Sequence, residues 1–91
     1  EFDVLFTPGH SPGHVTWALA DGSTLFSGDV LFKQSIGRTD LPGADHATLL
    51  RSIATLLERY PDEARVYPGH MGATTLGAER ATNPFLQELA A

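Results

Sequence analysis

Two of the four histidines lie in the segment from Thr7 to His14, which reads Thr-Pro-Gly-His-Ser-Pro-Gly-His. They are His10 and His14, and each directly follows a glycine. Proline and glycine extend neither a strand nor a helix, so the segment predicts a rigid loop that presents imidazole side chains. Imidazole is a ligand for zinc, iron and manganese. The alternative is that each is an ordinary surface or hydrogen-bonded histidine.

Two further candidate ligands also follow glycines. Asp29 comes after Gly28, and His70 comes after Gly69. A glycine permits close approach of the backbone. Together with His10, these residues follow three predicted strands, and strand-end loops at one edge of a sheet can converge. The three residues taken together therefore favour a metal site more strongly than any one of them does, and the alternative of ordinary polar residues stays open.

The elements that must position these residues are predicted from periodicity and turn signals. An amphipathic helix begins after an N-cap at Asp45 and stops before Pro61, since its apolar residues recur every three or four positions. Asp21 and Gly22 predict a hairpin between two strands. The predicted strands are residues 3–6, 15–19, 24–27 and 65–67, and two short helices are predicted over 76–81 and 85–90.

Residues 30–45 are predicted to form a long connection, because the alternating pattern is lost and Gly37, Pro42 and Gly43 interrupt it. Long loops in compact domains are often functional. The dense polar cluster in this connection is Arg38-Thr39-Asp40. Two interpretations stay open at this point, a solvated ion pair between residues two apart and a site that contacts a ligand.

Composition excludes several classes of function. The 91 residues contain no cysteine, which excludes thiolate metal sites and cysteine nucleophiles. The formal net charge of -5 argues against a nucleic-acid surface. No apolar run reaches the length of a membrane span. We expect a soluble, cytoplasmic protein with no nucleic-acid or membrane partner, and we expect the chain to be a fragment because its first residues already read as a strand.

Several motifs in order resemble the second half of the metallo-β-lactamase superfamily. They are residues 7–14, Phe-Ser-Gly-Asp at 26–29 and Val-Tyr-Pro-Gly-His at 66–70. Gly-Arg-Thr-Asp at 37–40 and the tail at 74–85 are similar to its glyoxalase II-like (hydroxyacylglutathione) hydrolases. The resemblance implies an α/β (α+β) fold: the C-terminal half of an αβ/βα sandwich over residues 1–91, with a mostly antiparallel sheet and helices on one face.

The resemblance also implies roles for individual residues. His10 and His70 would each be a terminal ligand of one metal ion, and Asp29 would bridge the two ions. His14 would hydrogen-bond around the ligands rather than ligate. Arg38 stands where glyoxalase II enzymes carry a basic residue that contacts the glutathione part of the thioester.

The implied activity is hydrolysis of a thioester of a thiol carrier by metal-bound hydroxide, with two zinc ions, or iron or manganese in their place. Asp40 stands where these enzymes often carry an aromatic hydroxyl, which puts glutathione itself in doubt. We expect Asp40, like His14, to lie around the metal ligands rather than to be one of them. Because Gly-Arg-Thr-Asp also occurs in the related persulfide dioxygenases, a mononuclear-iron dioxygenase is the alternative.

The superfamily's His-x-His-x-Asp-His motif does not occur in these 91 residues. We therefore expect the isolated chain to be inactive, since a catalytic zinc takes three protein ligands. The chain would need its missing N-terminal half, or a second copy of itself, to cover the inner face of its sheet. A non-catalytic half-domain or assembly module is the remaining alternative.

Overall fold

The computed structural model describes residues 2–9, 13–40, 42–69 and 72–87. Within these residues the chain forms nine elements: β1 Phe2–Phe6, β2 Val15–Leu19, β3 Thr24–Gly28, β4 Leu31–Phe32, β5 Ser35–Ile36, α1 His46–Arg59, β6 Arg65–Pro68, β7 Thr74–Thr75 and α2 Leu76–Thr82. One sheet has the strand order β1-β2-β3-β6-β7, and β4 and β5 form a separate two-stranded ribbon. This is the mostly antiparallel α+β architecture that the sequence predicts.

Strands β1, β2 and β3 form an antiparallel meander, and β6 adds to β3 in parallel. The predicted turn between β2 and β3 is confirmed. Gly22 adopts the left-handed region with φ 77°, where glycine carries no steric penalty. The Asp21 carboxylate accepts a hydrogen bond from the Ser23 amide at 2.9 Å. The α1 crossover is what allows β6 to lie parallel to β3.

The core lies between one face of the sheet and α1. Helix α1 begins at the predicted N-cap, because an oxygen of Asp45 accepts from the Thr48 amide at 2.9 Å. It ends at Arg59, and the C-cap residue Tyr60 directly precedes Pro61. Its apolar stripe is buried at Leu49, Leu50, Ile53, Leu56 and Leu57. The sheet residues on this face are small or aliphatic and buried: Leu5, Ala18, Leu25 and Val66.

The opposite face of the sheet is open. We call it the aromatic face, and its large side chains are exposed: Phe2, Val4, Phe6, Trp17, Phe26 and Tyr67. Trp17 lies opposite Phe26 in the register, and Phe26 lies opposite Tyr67, so these rings share one side of the pleat. The Phe26 and Tyr67 rings are stacked with centroids 5.6 Å apart.

The sequence does not predict three short strands that the structure contains. The predicted connection at residues 30–45 contains the β4–β5 hairpin, and β7 lies outside every predicted strand. Strands of two residues are too short to show alternation. The hairpin also turns at Gln34, a non-glycine residue at φ 59°, so it lacks the usual turn signal.

Strands β3 and β6 each run one residue further than predicted. The predicted last helix, 85–90, lies partly outside the described residues. None of the helices in the described parts of the chain is long and apolar enough to cross a membrane.

Candidate functional site

The carboxyl ends of the parallel strands β3 and β6 meet at one edge of the sheet. Gly28 is paired with Pro68 in the register, and the Gly69 amide donates to the Gly28 carbonyl at 2.8 Å. Asp29 follows β3 directly and is half-buried. A Cβ atom on Gly69 would lie 3.1 Å from the Asp29 carboxylate. Glycine at position 69 therefore lets the chain after β6 pass close to Asp29.

His14 lies at the same edge. Its Nε2 donates a hydrogen bond to the Ser27 carbonyl at 2.8 Å. The close approach depends on Gly28, because a Cβ there would lie 2.8 Å from the His14 ring. Gly28 also has φ 59°, a conformation that side chains disfavour. The structure thus brings His14 to the backbone that leads into Asp29, and its assignment outside the ligand set stays a prediction.

The start of the Thr7–His14 segment is fixed against the N-cap and the first two turns of α1. The Gly9 carbonyl accepts from the Asp45 amide at 2.7 Å, and the Pro8 carbonyl accepts from the Ser52 hydroxyl at 2.7 Å. Gly9 is buried at φ 134°, and a Cβ there would overlap the backbone of Leu49. This packing agrees with the predicted rigid loop as far as Gly9.

His10 and His70, the two predicted terminal ligands, lie outside the described residues. Their assignment stays a prediction. Among the residues that are described, no group of three or more His, Cys, Asp or Glu side chains could hold a metal ion. His46, the first residue of α1, is exposed.

Arg38 and Asp40 form a two-point ion pair. Arg38 Nε donates to one carboxylate oxygen at 2.7 Å, and Nη2 donates to the other at 2.9 Å. Hydrogen bonding from Arg38 lowers the pKa of Asp40, and hydrogen bonding to Asp40 raises the pKa of Arg38. The solvated ion pair is therefore the interpretation that this structure favours. A ligand carboxylate would have to compete with Asp40 for the guanidinium.

Sequence reasoning missed a buried polar cluster formed by Glu79 of α2 and Asn83, the C-cap residue of that helix. Glu79 and Asn83 are almost fully buried, and Asn83 donates to Glu79 at 3.0 Å. A signal for this exists in the sequence. Leu76 precedes Glu79 by three residues, so both lie on the same helix face. An apolar residue on that face implies that the carboxylate is turned inward as well.

The model of the metallo-beta-lactamase superfamily matches residues 1–70. The chain belongs to this superfamily. Its fold is accordingly that of the superfamily's solved members. A chain called TTHA1623 in a di-iron-bound form is 56% identical, with a TM-score of 0.89 over 93% of this chain and 42% of that one. ETHE1 from Myxococcus xanthus is 37% identical, with a TM-score of 0.83 over 91% of this chain and 38% of that one.

A curated relative in this superfamily is the hydroxyacylglutathione hydrolase GloC of Haemophilus influenzae. It is 45% identical over 85 residues, which are 93% of this chain and 40% of that protein. The chain thus spans about 40% of the length of this relative and of both structural neighbours. The matched segment contains Asp29, Arg38 and the glycines of the sheet edge.

Metal binding is a property of the superfamily, and the sheet edge fits part of such a site. A carboxylate is a suitable ligand for zinc, iron or manganese. Asp29 stands at the strand ends with a glycine, Gly69, beside its oxygen. An open cleft of about 430 Å³ lies elsewhere, lined by residues that include Lys33, Arg65 and Tyr67. None of the described site residues lines it.

Proposed function

We propose that this chain is the metal-binding C-terminal half of a hydrolase that cleaves thioesters of a thiol carrier, in the manner of hydroxyacylglutathione hydrolases. The observation that carries the proposal is the edge where β3 and β6 end side by side, with Asp29 against Gly69. The similarity to the Haemophilus hydrolase supports the substrate class.

Three residues would hold the metal ions, with His10 and His70 as terminal ligands and Asp29 shared between them. When bound, two such ions lower the pKa of water and polarise a carbonyl oxygen. The remaining ligands would come from the other half of the domain. We propose zinc as the resident metal. A di-iron-bound neighbour keeps iron as the other candidate, because histidine and carboxylate ligands accept both metals.

Arg38 would bind a carboxylate of the thiol carrier by a paired hydrogen bond. In this chain the guanidinium is already paired with Asp40 at 2.7 Å and 2.9 Å. An anionic carrier must displace Asp40, whereas a carrier that also has an ammonium group could satisfy both side chains. We therefore propose a zwitterionic thiol carrier, and we place the activity in the cytoplasm, where free thiols are kept reduced.

The aromatic face would pack against the N-terminal half of the same domain. A contiguous exposed apolar surface of this kind is typical of an interaction site. The extra length of the relatives supports this occupant. The other occupant to be tested is a second copy of the chain. If the chain is instead a non-catalytic module, the candidate metal site at the ends of β3 and β6 would be unused.

Metal analysis and thioester hydrolysis by the longer protein test the proposal. We expect about two ions per chain, and we expect Asp29→Ala to lose both the metal pair and turnover. Asp29→Asn keeps the shape of the side chain and should fail in the same way, because the bridging role needs the charge. Glu63→Gln, an exposed carboxylate in the turn after α1, is the matched control. Full metal content and turnover in Asp29→Ala would reject the assignment.

As a second candidate function we propose a persulfide dioxygenase with one iron, because the Gly-Arg-Thr-Asp segment at 37–40 resembles that of persulfide dioxygenases as well as that of glyoxalase II-like hydrolases. The same measurement separates the two. One iron per chain with consumption of oxygen supports the dioxygenase, and two ions with release of thiol from a thioester support the hydrolase.

A further inference from the structure

Glu79 is a buried carboxylate that the proposed chemistry does not use. Its side chain is 1% exposed. One oxygen accepts from the Gln34 amide at 2.6 Å and from Asn83 Nδ2 at 3.0 Å, and the other accepts from the Thr74 hydroxyl at 2.6 Å. All three partners donate, so the carboxylate acts only as an acceptor. The cost of burying a carboxylate is thereby offset by hydrogen bonds.

The same cluster binds the turn of the β4–β5 hairpin at three backbone groups. Besides the Gln34 amide, Asn83 Nδ2 contacts the Ser35 carbonyl at 3.0 Å and the Phe32 carbonyl at 3.4 Å. Gln34 has φ 59°, which costs a non-glycine residue free energy unless surrounding contacts hold it. The hairpin has only two residues in each strand. Its conformation therefore depends on α2.

This hairpin separates the two predicted functional positions. Its base is closed by the Gly37 amide, which donates to the Val30 carbonyl at 3.0 Å. Val30 directly follows Asp29, and Gly37 directly precedes Arg38. The hairpin thus sets the distance between the end of β3 and the arginine. Any rotation of the hairpin would move Arg38 relative to Asp29.

We propose that Glu79 is a positioning residue, which holds the turn of the β4–β5 hairpin so that Arg38 keeps a fixed position relative to Asp29. The inference rests on the proposed function, because Arg38 is the residue that would bind the thiol carrier. It adds a role for the tail at residues 74–85, to which the proposed metal site otherwise assigns none. A purely structural Glu79 would affect stability alone.

The test compares variants in the longer, metal-loaded protein. Glu79→Ala should raise KM for the thioester about tenfold or more, with metal content unchanged and a smaller change in kcat. Glu79→Gln should stay near the wild-type KM. Its oxygen can still accept from Gln34 and Asn83, and its amide can donate to Thr74. Glu58→Ala, an exposed glutamate on α1, is the matched control.

A double-mutant cycle with Arg38→Ala decides whether the effect passes through the arginine. If Glu79 positions Arg38, the rise in KM from Glu79→Ala disappears once Arg38 is alanine. Additive effects would overturn the proposal while leaving the thioesterase intact. A wild-type protein without thioesterase activity would overturn the proposed function instead.

Amide hydrogen exchange is the readout that does not depend on turnover. The amides of Gln34 and Gly37 should exchange faster in Glu79→Ala than in Glu58→Ala, while the amides of α1 keep their protection. Unchanged exchange in the hairpin would overturn the proposal. If Glu79→Ala does not fold, Thr74→Val removes one hydrogen-bond donor to Glu79 with little change of side-chain shape. We then expect the amides of Gln34 and Gly37 to exchange faster by a smaller factor.

Discussion

The two faces of the central sheet are built from alternate residues of the same strands, and they differ in kind. The face against α1 carries small and aliphatic side chains that are buried, such as Ala18 and Leu25. The aromatic face carries rings that are 40 to 66% exposed, from Tyr67 to Phe6. One face is completed by a helix of this chain. The large exposed rings of the aromatic face lead us to propose that a second layer, from outside this chain, covers that face.

Paired substitutions at neighbouring positions of β3 give the largest expected effect. Leu25 is fully buried, and Phe26 is 41% exposed. In the 91-residue chain, Leu25→Ala should cost about 2–5 kcal/mol of unfolding free energy. Phe26→Ala should cost less than about 1 kcal/mol, because surface substitutions rarely cost more. Denaturant unfolding measures both.

The same pair in the longer protein sharpens the comparison. If the aromatic face is covered there, Phe26→Ala becomes a core substitution that costs about 3–5 kcal/mol. The cost of Leu25→Ala should stay as it was, because its surroundings belong to this chain. An equally mild Phe26→Ala in both proteins would contradict the covered face.

Association of the isolated chain gives the next effect in size. Trp17 is the single tryptophan and is 48% exposed on the aromatic face, so its fluorescence reports on this surface alone. We expect the emission to shift to shorter wavelength as protein concentration rises, in step with the mass measured by sedimentation. Phe26→Lys places a charge in the patch and should keep the chain monomeric. Association without a shift in emission would assign the contact to another surface.

The elements that could be predicted from the sequence are those specified by local signals. Alternation in β1 to β3, the Asp21-Gly22 turn and the stripe of α1 are local signals, and each produced the predicted element. The hairpin around Gln34 was missed because its left-handed turn is stabilised by α2, 45 residues away along the chain. Contacts between residues this far apart produce no periodic pattern in the local sequence.

The candidate site divides in the same way. The sequence marks Asp29 and the glycines at positions 28 and 69 by their places at strand ends, and the structure brings all three to one edge. For Arg38 and Asp40 the sequence leaves two interpretations open, an ion pair and a ligand contact, because the choice between them depends on side-chain geometry. The spacing of Leu76 and Glu79 on α2 indicates that Glu79 is buried, but its hydrogen bonds to the β4–β5 turn depend on how α2 packs.

Acid should weaken the helix-covered face through the N-cap of α1, and this is the smallest expected effect. Hydrogen bonds from the Thr48 side chain and then its amide lower the pKa of Asp45 from 3.8. A carboxyl whose pKa is lower in the folded state stabilises it above the unfolded pKa, and this contribution is lost as pH falls through the folded value. Unfolding midpoints should therefore decrease below about pH 4.

Asp45→Asn isolates this contribution, since asparagine also caps helices but does not titrate. The pKa values of Asp21 and Asp40 are lowered as well, but both residues titrate in either protein and cancel in the difference. The variant should match the wild type near neutral pH and lose less stability below pH 4. Equal slopes in the two proteins would show that the cap does not couple acid to α1. A shallower slope with unchanged Trp17 emission would place the acid response on the helix-covered face, since the tryptophan reports on the other one.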